Sequence, residues 1–454
     1  MKPHAPAKGC IALENYVHPP EPASEVVRNG LHTFEQRLRH ALGAPTDDQT
    51  VQQQNLRAAP LILLERIVPE PVWTSFYLEP VQAALTNWLA ADTATAGAQL
   101  FVSAPHSTLY ASIKAWANRE AWQILEPPTP DEILADDGRW LERWHDRNQG
   151  RWLLPPLERC YLRHHNGLNL IRRLLEIVRL QQPTCLLVCS SWAWAYLDQA
   201  LHVRSVLPTP LTLPPFDAYD LNHWLACLPP TAVRGDLVFR EADSGEAIFW
   251  AEETGTDQAE AANGVESAPD NGRSALGRTA AWLGAALADG WVALQKWGYR
   301  AWYGRPNAQA HSQFLKHLAA RSRGTPKVAW AIWRHSLQVV ADEVEHNVQV
   351  TAAEDSRRTI WVRPWEELAL PTVMPDADVR QALVLHALLL HNGLPDVLLP
   401  EVLPLRSSEI VYCLRQLEKA GLVVRQGGVW QTTPLGYPAV RGFLASENFL
   451  LDGL

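Results

Sequence analysis

Several familiar signatures are missing from this chain of 454 residues, and each absence narrows the reading. No apolar run approaches the roughly 18 uninterrupted residues that a spanning helix needs. The first ten residues, MKPHAPAKGC, have no apolar stretch behind their lysines, so no secretory signal is expected there and a cytoplasmic location is. The six cysteines form no C-x-x-C pair and no disulfide framework; reduced thiols suit a bacterial-type cytosol. Neither H-E-x-x-H nor G-x-S-x-G occurs, which leaves a metalloprotease or an ordinary serine hydrolase without support. Excess positive charge is missing too: the net charge of −9 argues against a protein that coats nucleic acid. Two methionines stand against 20 tryptophans, whose rings are suited to filling core gaps or partner grooves.

Length calls for two or three domains. Residues 1–58 mix Pro, Gln, Asp and Thr around one helix at Val26–Leu42 and read as a loosely attached N-terminal extension. Over 59–249, short apolar runs alternate with segments of helical period, the pattern of a parallel sheet covered by helices. Strands are expected at Gln99–Ser103, Trp122–Leu125, Arg151–Leu154, Thr184–Ser190 and Pro208–Leu213. Leu168–Leu180 keeps Arg172, Arg173, Glu176 and Arg179 off its apolar stripe, and Trp192–Leu201 follows a serine pair suited to capping.

No basic residue occurs between Arg240 and Arg273, where acids recur among small residues; residues 250–310 therefore read as an acidic disordered insert followed by an amphipathic helix. That helix, Leu276–Arg305, places Leu283, Leu287, Trp291 and Leu294 on one side. It has three readings: packing on its own domain, docking into a protein partner, or peripheral contact with a membrane or membrane protein. Asp289 weakens the membrane version and the long tether weakens plain packing, so partner docking is favoured.

Residues 311–375 read as a helical lid with short strands near Val348–Thr351 and Thr359–Val362, the two lid helices running from His311 to about Val340 with Pro326 near a helix start. From 376 the order is helix Val379–His391, a short helix near Val397–Leu403, a serine-capped helix Ser407–Ala420, and two β runs turning through Gly427-Gly428. This is the order of a winged helix-turn-helix.

The stretch "LFVSAPHSTLYASIKAW" carries the chemical question. A phosphate-binding loop has the pattern G-x-x-x-x-G-K-[ST]. Here the loop is short and without glycine, Lys114 lies inside the helix, and Pro105 removes an N–H where donors are needed. With the element order, these segments resemble AAA-type and STAND-type P-loop ATPases with degenerate motifs, over roughly Ala59 to the last residue. The resemblance implies a P-loop-NTPase-like α/β fold with a helical lid and a winged helix. It places Pro155-Pro156 where two magnesium-holding carboxylates would stand, with Glu158 a few residues late. It makes Ser190 and Ser191 in "CLLVCSSWAW" similar to a sensor-one strand end, and Gly324, Pro326 and Lys327 similar to the sensor-two G-x-P-R segment, with lysine replacing arginine.

The expectation is a non-catalytic, pseudo-ATPase-like scaffold or regulatory protein acting through an unidentified protein partner, with no cofactor. A residual ATP or ADP site would use Ser107, Thr108, Ser190, Ser191 and Lys327. The winged-helix contact face comprises Ser407, Tyr412, Arg415, Lys419 and Arg425. Its alternative use, in transcription regulation on DNA, is disfavoured because the segment from Asp376 carries more acids than bases. No metal is expected: His164, His165 and Cys160 lack a second ligand pair, and adjacent imidazoles on a helix would point apart. Cys185 and Cys189 read as inert core thiols, and Asp217 with Asp220 as a helix cap.

Overall fold

The strand Cys185–Ser190 is buried at all six positions, which requires cover on both faces of its sheet. The computed structural model describes residues 9–22, 55–90, 97–135, 138–145, 150–250, 312–341 and 358–454. Its elements up to Ile248 and from Ser312 onward form one compact unit. The expected helices Val26–Leu42 and Leu276–Arg305, with Leu283, Leu287, Trp291 and Leu294, and the strand Val348–Thr351, lie outside the described residues.

In chain order, β1 is Ile11–Ala12 and β2 is Leu56–Ala58. Helices α1 (Leu61–Ile67), α2 (Trp73–Phe76) and α3 (Leu78–Ala90) precede β3 (Gln99–Ser103) and α4 (Leu109–Arg119). Then come β4 (Gln123–Ile124), α5 (Pro130–Ala135), α6 (Arg139–His145), β5 (Trp152–Leu153), α7 (Asn169–Gln181), β6 (Cys185–Ser190), α8 (Ser191–Leu201) and β7 (Leu211–Thr212). The main sheet has the order β1-β7-β3-β6-β5-β4, parallel except for β1 at its edge. The fold is therefore α/β, with parallel strands flanked by helices. Helix α7 turns Leu170, Ile171, Leu174, Leu175 and Val178 inward and ends at Gln182, whose φ of 44° stops the helix in the left-handed region.

After α9 (Ala218–Ala226) and α10 (Thr231–Arg234) the chain enters a second sheet through β8 (Leu237–Glu241). It continues through α11 (Gln313–Arg321), α12 (Pro326–Ser336), β9 (Leu337–Val340) and β10 (Arg358–Val362). The second sheet has the order β2-β9-β10-β8. Two expectations are corrected here. Residues 337–340 are strand and not the end of a lid helix, because pairing with β2 and β10 satisfies their backbone groups on both sides. Parts of the segment 1–58 are tied in, since β1 pairs with β7 and β2 with β9.

The remainder comprises α13 (Val379–Leu390), β11 (Leu394–Pro395), α14 (Leu399–Val402), α15 (Ser407–Lys419), β12 (Val423–Gln426), β13 (Val429–Thr432) and α16 (Tyr437–Ser446). Its sheet is antiparallel in the order β11-β13-β12. Gly427 and Gly428 have φ of 56° and 80°, as a two-residue turn with two left-handed positions demands. The cap of α15 falls on Arg406 and not on a serine, with the Arg406 N–H donating to Glu409 Oε2 at 2.9 Å. Among the described residues no helix is long and apolar enough to cross a membrane.

Candidate functional site

Strand order places the site. From β3 the chain builds β4, β5 and β6 on one side, then crosses to β7 on the other, so the order reverses at β3. Open α/β sheets bind ligands in the crevice at the carboxyl ends of the strands beside such a reversal. Here Ser103 ends β3 level with Ser190 of β6, and Phe101 pairs with Leu211 of β7. A crevice opens at this edge, lined by Ser103 and Ser107, by Gly324 and Pro326, and by Tyr16 and Leu454. Its interior of about 30 Å³ is the room of roughly two water molecules.

Of the five residues expected to line a nucleotide pocket, only Ser107 does so. Its Oγ accepts the Leu109 N–H at 3.3 Å and shares a hydrogen bond with the buried Tyr77 hydroxyl. Thr108 Oγ1 donates to the Trp73 carbonyl at 2.8 Å, fastening α4 to α2. Ser190 Oγ accepts from the Ala193 N–H at 3.3 Å and caps α8, as the serine pair predicted. Ser191 Oγ donates to Asp452 Oδ2 at 2.5 Å inside the protein. Lys327 holds its Nζ 5.9 Å from the Trp73 ring centre, a cation–π contact pointing away from a phosphate role. Of these five side chains, Ser107 alone lines the crevice, and the other four make the separate contacts just described.

Two further groups stand at the same edge, the buried Glu158 and the half-buried His106. Glu158 is 5 % exposed, and its Oε2 accepts the Ser190 N–H at 2.9 Å. Burial pushes its carboxyl above the usual carboxylate range, against the lowering pull of that bond, of Arg159 and of Asn392. Although late in sequence, it reaches the carboxyl end of β6 because a 3-10 turn at Leu157–Arg159 folds it back. His106 follows β3 with a φ of 62°, meets Thr432 Oγ1 at 3.2 Å and lies edge-on to Tyr437. Burial and then the charge of Lys327 lower its imidazole to about 3, so it is neutral and carries no phosphate-binding charge. The signal for His106 was its place one residue after Pro105 at a strand end; Tyr16 and Asp452 had no local signal.

The C-terminal elements are fastened to this edge by buried polar contacts. Tyr161 OH donates to the Leu390 carbonyl at 2.9 Å, Trp192 Nε1 to Tyr437 OH at 3.2 Å, and the Arg163 N–H to His391 Nε2 at 3.4 Å. On the far side, Ser407, Tyr412, Arg415, Lys419 and Arg425 are all exposed. Arg425 is paired with Asp396 at 2.5 Å, and Tyr412 is 59 % exposed.

His164 and His165 lie in a bend and not on a helix, with ring centres 4.0 Å apart, which corrects the expectation that they point apart. Among the described residues no group of three or more His, Cys, Asp or Glu could hold a metal. Cys185 and Cys189 are buried, and desolvation pushes Cys185 up to about 12. Asp217 and Asp220 close a reciprocal capping box at 2.9 and 3.0 Å. Comparison with protein-family profiles, with curated proteins and with solved structures finds no match to this chain.

Proposed function

We propose that this chain is a non-catalytic, pseudo-ATPase-like regulatory or scaffold protein that acts through contacts with another protein. The observation that carries the reading is the narrow crevice, with an interior the size of about two waters, beside Ser191 engaged by Asp452 and Lys327 resting on Trp73. Chemistry on a triphosphate needs cations and a metal-holding carboxylate aimed at one point. Here Glu158 is turned to the Ser190 N–H and to Asn392.

Descent from an AAA/STAND-like P-loop ATPase is supported by β6 inserted between β3 and β5 in a parallel sheet. Helices α11 and α12 fit a lid, with Pro326 opening the second. The run α13, β11, α14, α15, β12, β13 fits a winged helix-turn-helix, whose outward face would be the contact surface. Calorimetric titration with ATP and ADP, with and without magnesium, tests the proposal. Silence at millimolar nucleotide is expected, and saturable micromolar binding would overturn it in favour of a nucleotide switch.

The alternative is DNA binding through α15, favoured by the exposure of Arg415 and Lys419. Against it, Glu418 is exposed on the same helix and Arg425 is paired with Asp396, leaving little unpaired charge for phosphates. An electrophoretic shift with random duplex at low salt separates the two: salt-sensitive binding favours DNA.

A further inference from the structure

The side chain of Asp452 has no exposed surface, although it lies in an irregular segment after α16, two residues before the crevice-lining Leu454. Four parts of the fold converge on that segment. Ser191 Oγ, at the start of α8, donates to Asp452 Oδ2 at 2.5 Å. Arg441, on α16, reaches Oδ1 through Nε at 3.2 Å and the Asp452 carbonyl through its terminal nitrogen at 3.1 Å. Arg323, in the turn before α12, donates from Nε to the Leu454 main-chain oxygen at 2.9 Å. His18, from the segment after β1, faces the backbone of Gly453 between them. Tyr16 OH donates to the Arg323 carbonyl at 2.9 Å and so fixes that arginine's loop. Leu454 is 3 % exposed and forms part of the crevice wall.

This bed has the logic of peptide recognition. The two arginines reach main-chain oxygens of Asp452 and Leu454. The Asp452 carboxylate and the Leu454 side chain are selected by a hydroxyl–guanidinium pair and by an apolar wall. Main-chain bonds supply affinity, and separated side-chain sites supply specificity. The hydrogen bonds that reach Asp452 and Leu454 in this segment are all donated by the rest of the protein. Such a bed suits an acidic peptide and disfavours a basic one. A small oxyanion would use the arginines and Ser191 but leave the leucine wall empty.

We infer that the groove formed by Tyr16, His18, Ser191, Arg323 and Arg441 is a peptide-recognition site for a partner segment with an acidic residue two positions before a leucine. The chain's own Asp452-Gly453-Leu454 fills it in cis, and a partner carrying the same pattern exchanges with it. The inference rests on the protein-contact reading for the existence of a partner. The groove itself is tested without nucleotide, so its failure is distinct from a failure of the titration with ATP.

The test measures the anisotropy of a fluorescent, C-terminally amidated peptide with the sequence of residues 448–454, added to the full chain. Asp452→Ala, which weakens the cis occupant, binds the peptide saturably and about 10-fold or more tighter than the unaltered protein does. A peptide with asparagine in place of its aspartate, or the added change Arg441→Gln, weakens binding by about 10-fold or more. If Asp452→Ala loses its circular-dichroism signature, Leu454→Ala replaces it, since that change leaves the Ser191 and Arg441 bonds intact. No saturable binding to either folded variant up to about millimolar peptide overturns the inference. Equal binding of the aspartate and asparagine peptides overturns it as well.

Discussion

Glu158 and Ser190, 32 positions apart in sequence, are joined at 2.9 Å by the Ser190 N–H donating to the Glu158 carboxylate, which also bonds the Asn392 side chain. Burial raises the Glu158 pKa in the folded protein. A raised folded-state pKa contributes stability that is complete below the unfolded value of about 4.3 and is lost as pH rises through the folded value. Glu158→Gln keeps an acceptor for Ser190 without a charge to bury. The variant therefore melts higher than the unaltered protein at pH 7 to 8, and the difference shrinks below about pH 4.5; melting curves across that range check it.

His391 titrates with the opposite sign. Its Nε2 accepts the Arg163 N–H, which only a neutral imidazole can do, and burial with neighbouring positive charge lowers it to about 4. Its contribution is present above the unfolded pKa of about 6.5 and is lost as pH falls through the folded value. Between pH 6.5 and 4 the melting temperature of His391→Gln falls less steeply than that of the unaltered protein. The slope is the readout, since the substitution also changes packing at neutral pH.

Gly324 cannot be replaced cheaply. Its φ is 72°, and an added Cβ would stand 2.3 Å from Pro215 Cβ and 2.7 Å from the Phe216 nitrogen, whose N–H donates to the Gly324 carbonyl at 3.0 Å. Gly324→Ala combines left-handed strain with a backbone clash, and is expected to cost about 2 kcal/mol or more in urea unfolding. A change below about 0.5 kcal/mol would show that the Pro215–Phe216 segment can give way.

The elements most readable in the sequence were those with one dominant pattern. "CLLVCS" is a buried strand because it is apolar throughout, "NLIRRLLEIVRLQ" segregates its charge, and the Asp217–Asp220 spacing closes a capping box. Gly427-Gly428 marked its turn through the φ that only glycine adopts freely. Short strands were less readable: β1 and β2 have two and three residues, too few to show a period, and exist through partners far along the chain. The edge crevice was the least readable part. The loop after β3 gave its poverty in phosphate donors, but its closure joins Ser191 to Asp452 across 261 positions and Tyr16 to Arg323 across 307, contacts with no local pattern.

Lys327 separates a structural lysine from a phosphate-binding one. Its Nζ lies 5.9 Å from the Trp73 ring centre, and its charge helps to hold His106 neutral. Lys327→Met keeps the stem but removes the charge, so the cation–π term of about 0.5–1 kcal/mol is lost. The repulsion that lowers His106 is lost with it, and a proton NMR titration of the His106 ring shifts upward from about 3 in the variant. The expected result is no saturable heat with ATP from either protein, because the lysine rests on an indole and the nearby crevice has room for only about two waters. If the unaltered protein bound ATP and Lys327→Met did not, the lysine would have to leave Trp73 to meet phosphate. The His106 titration would then respond to ATP in the unaltered protein alone.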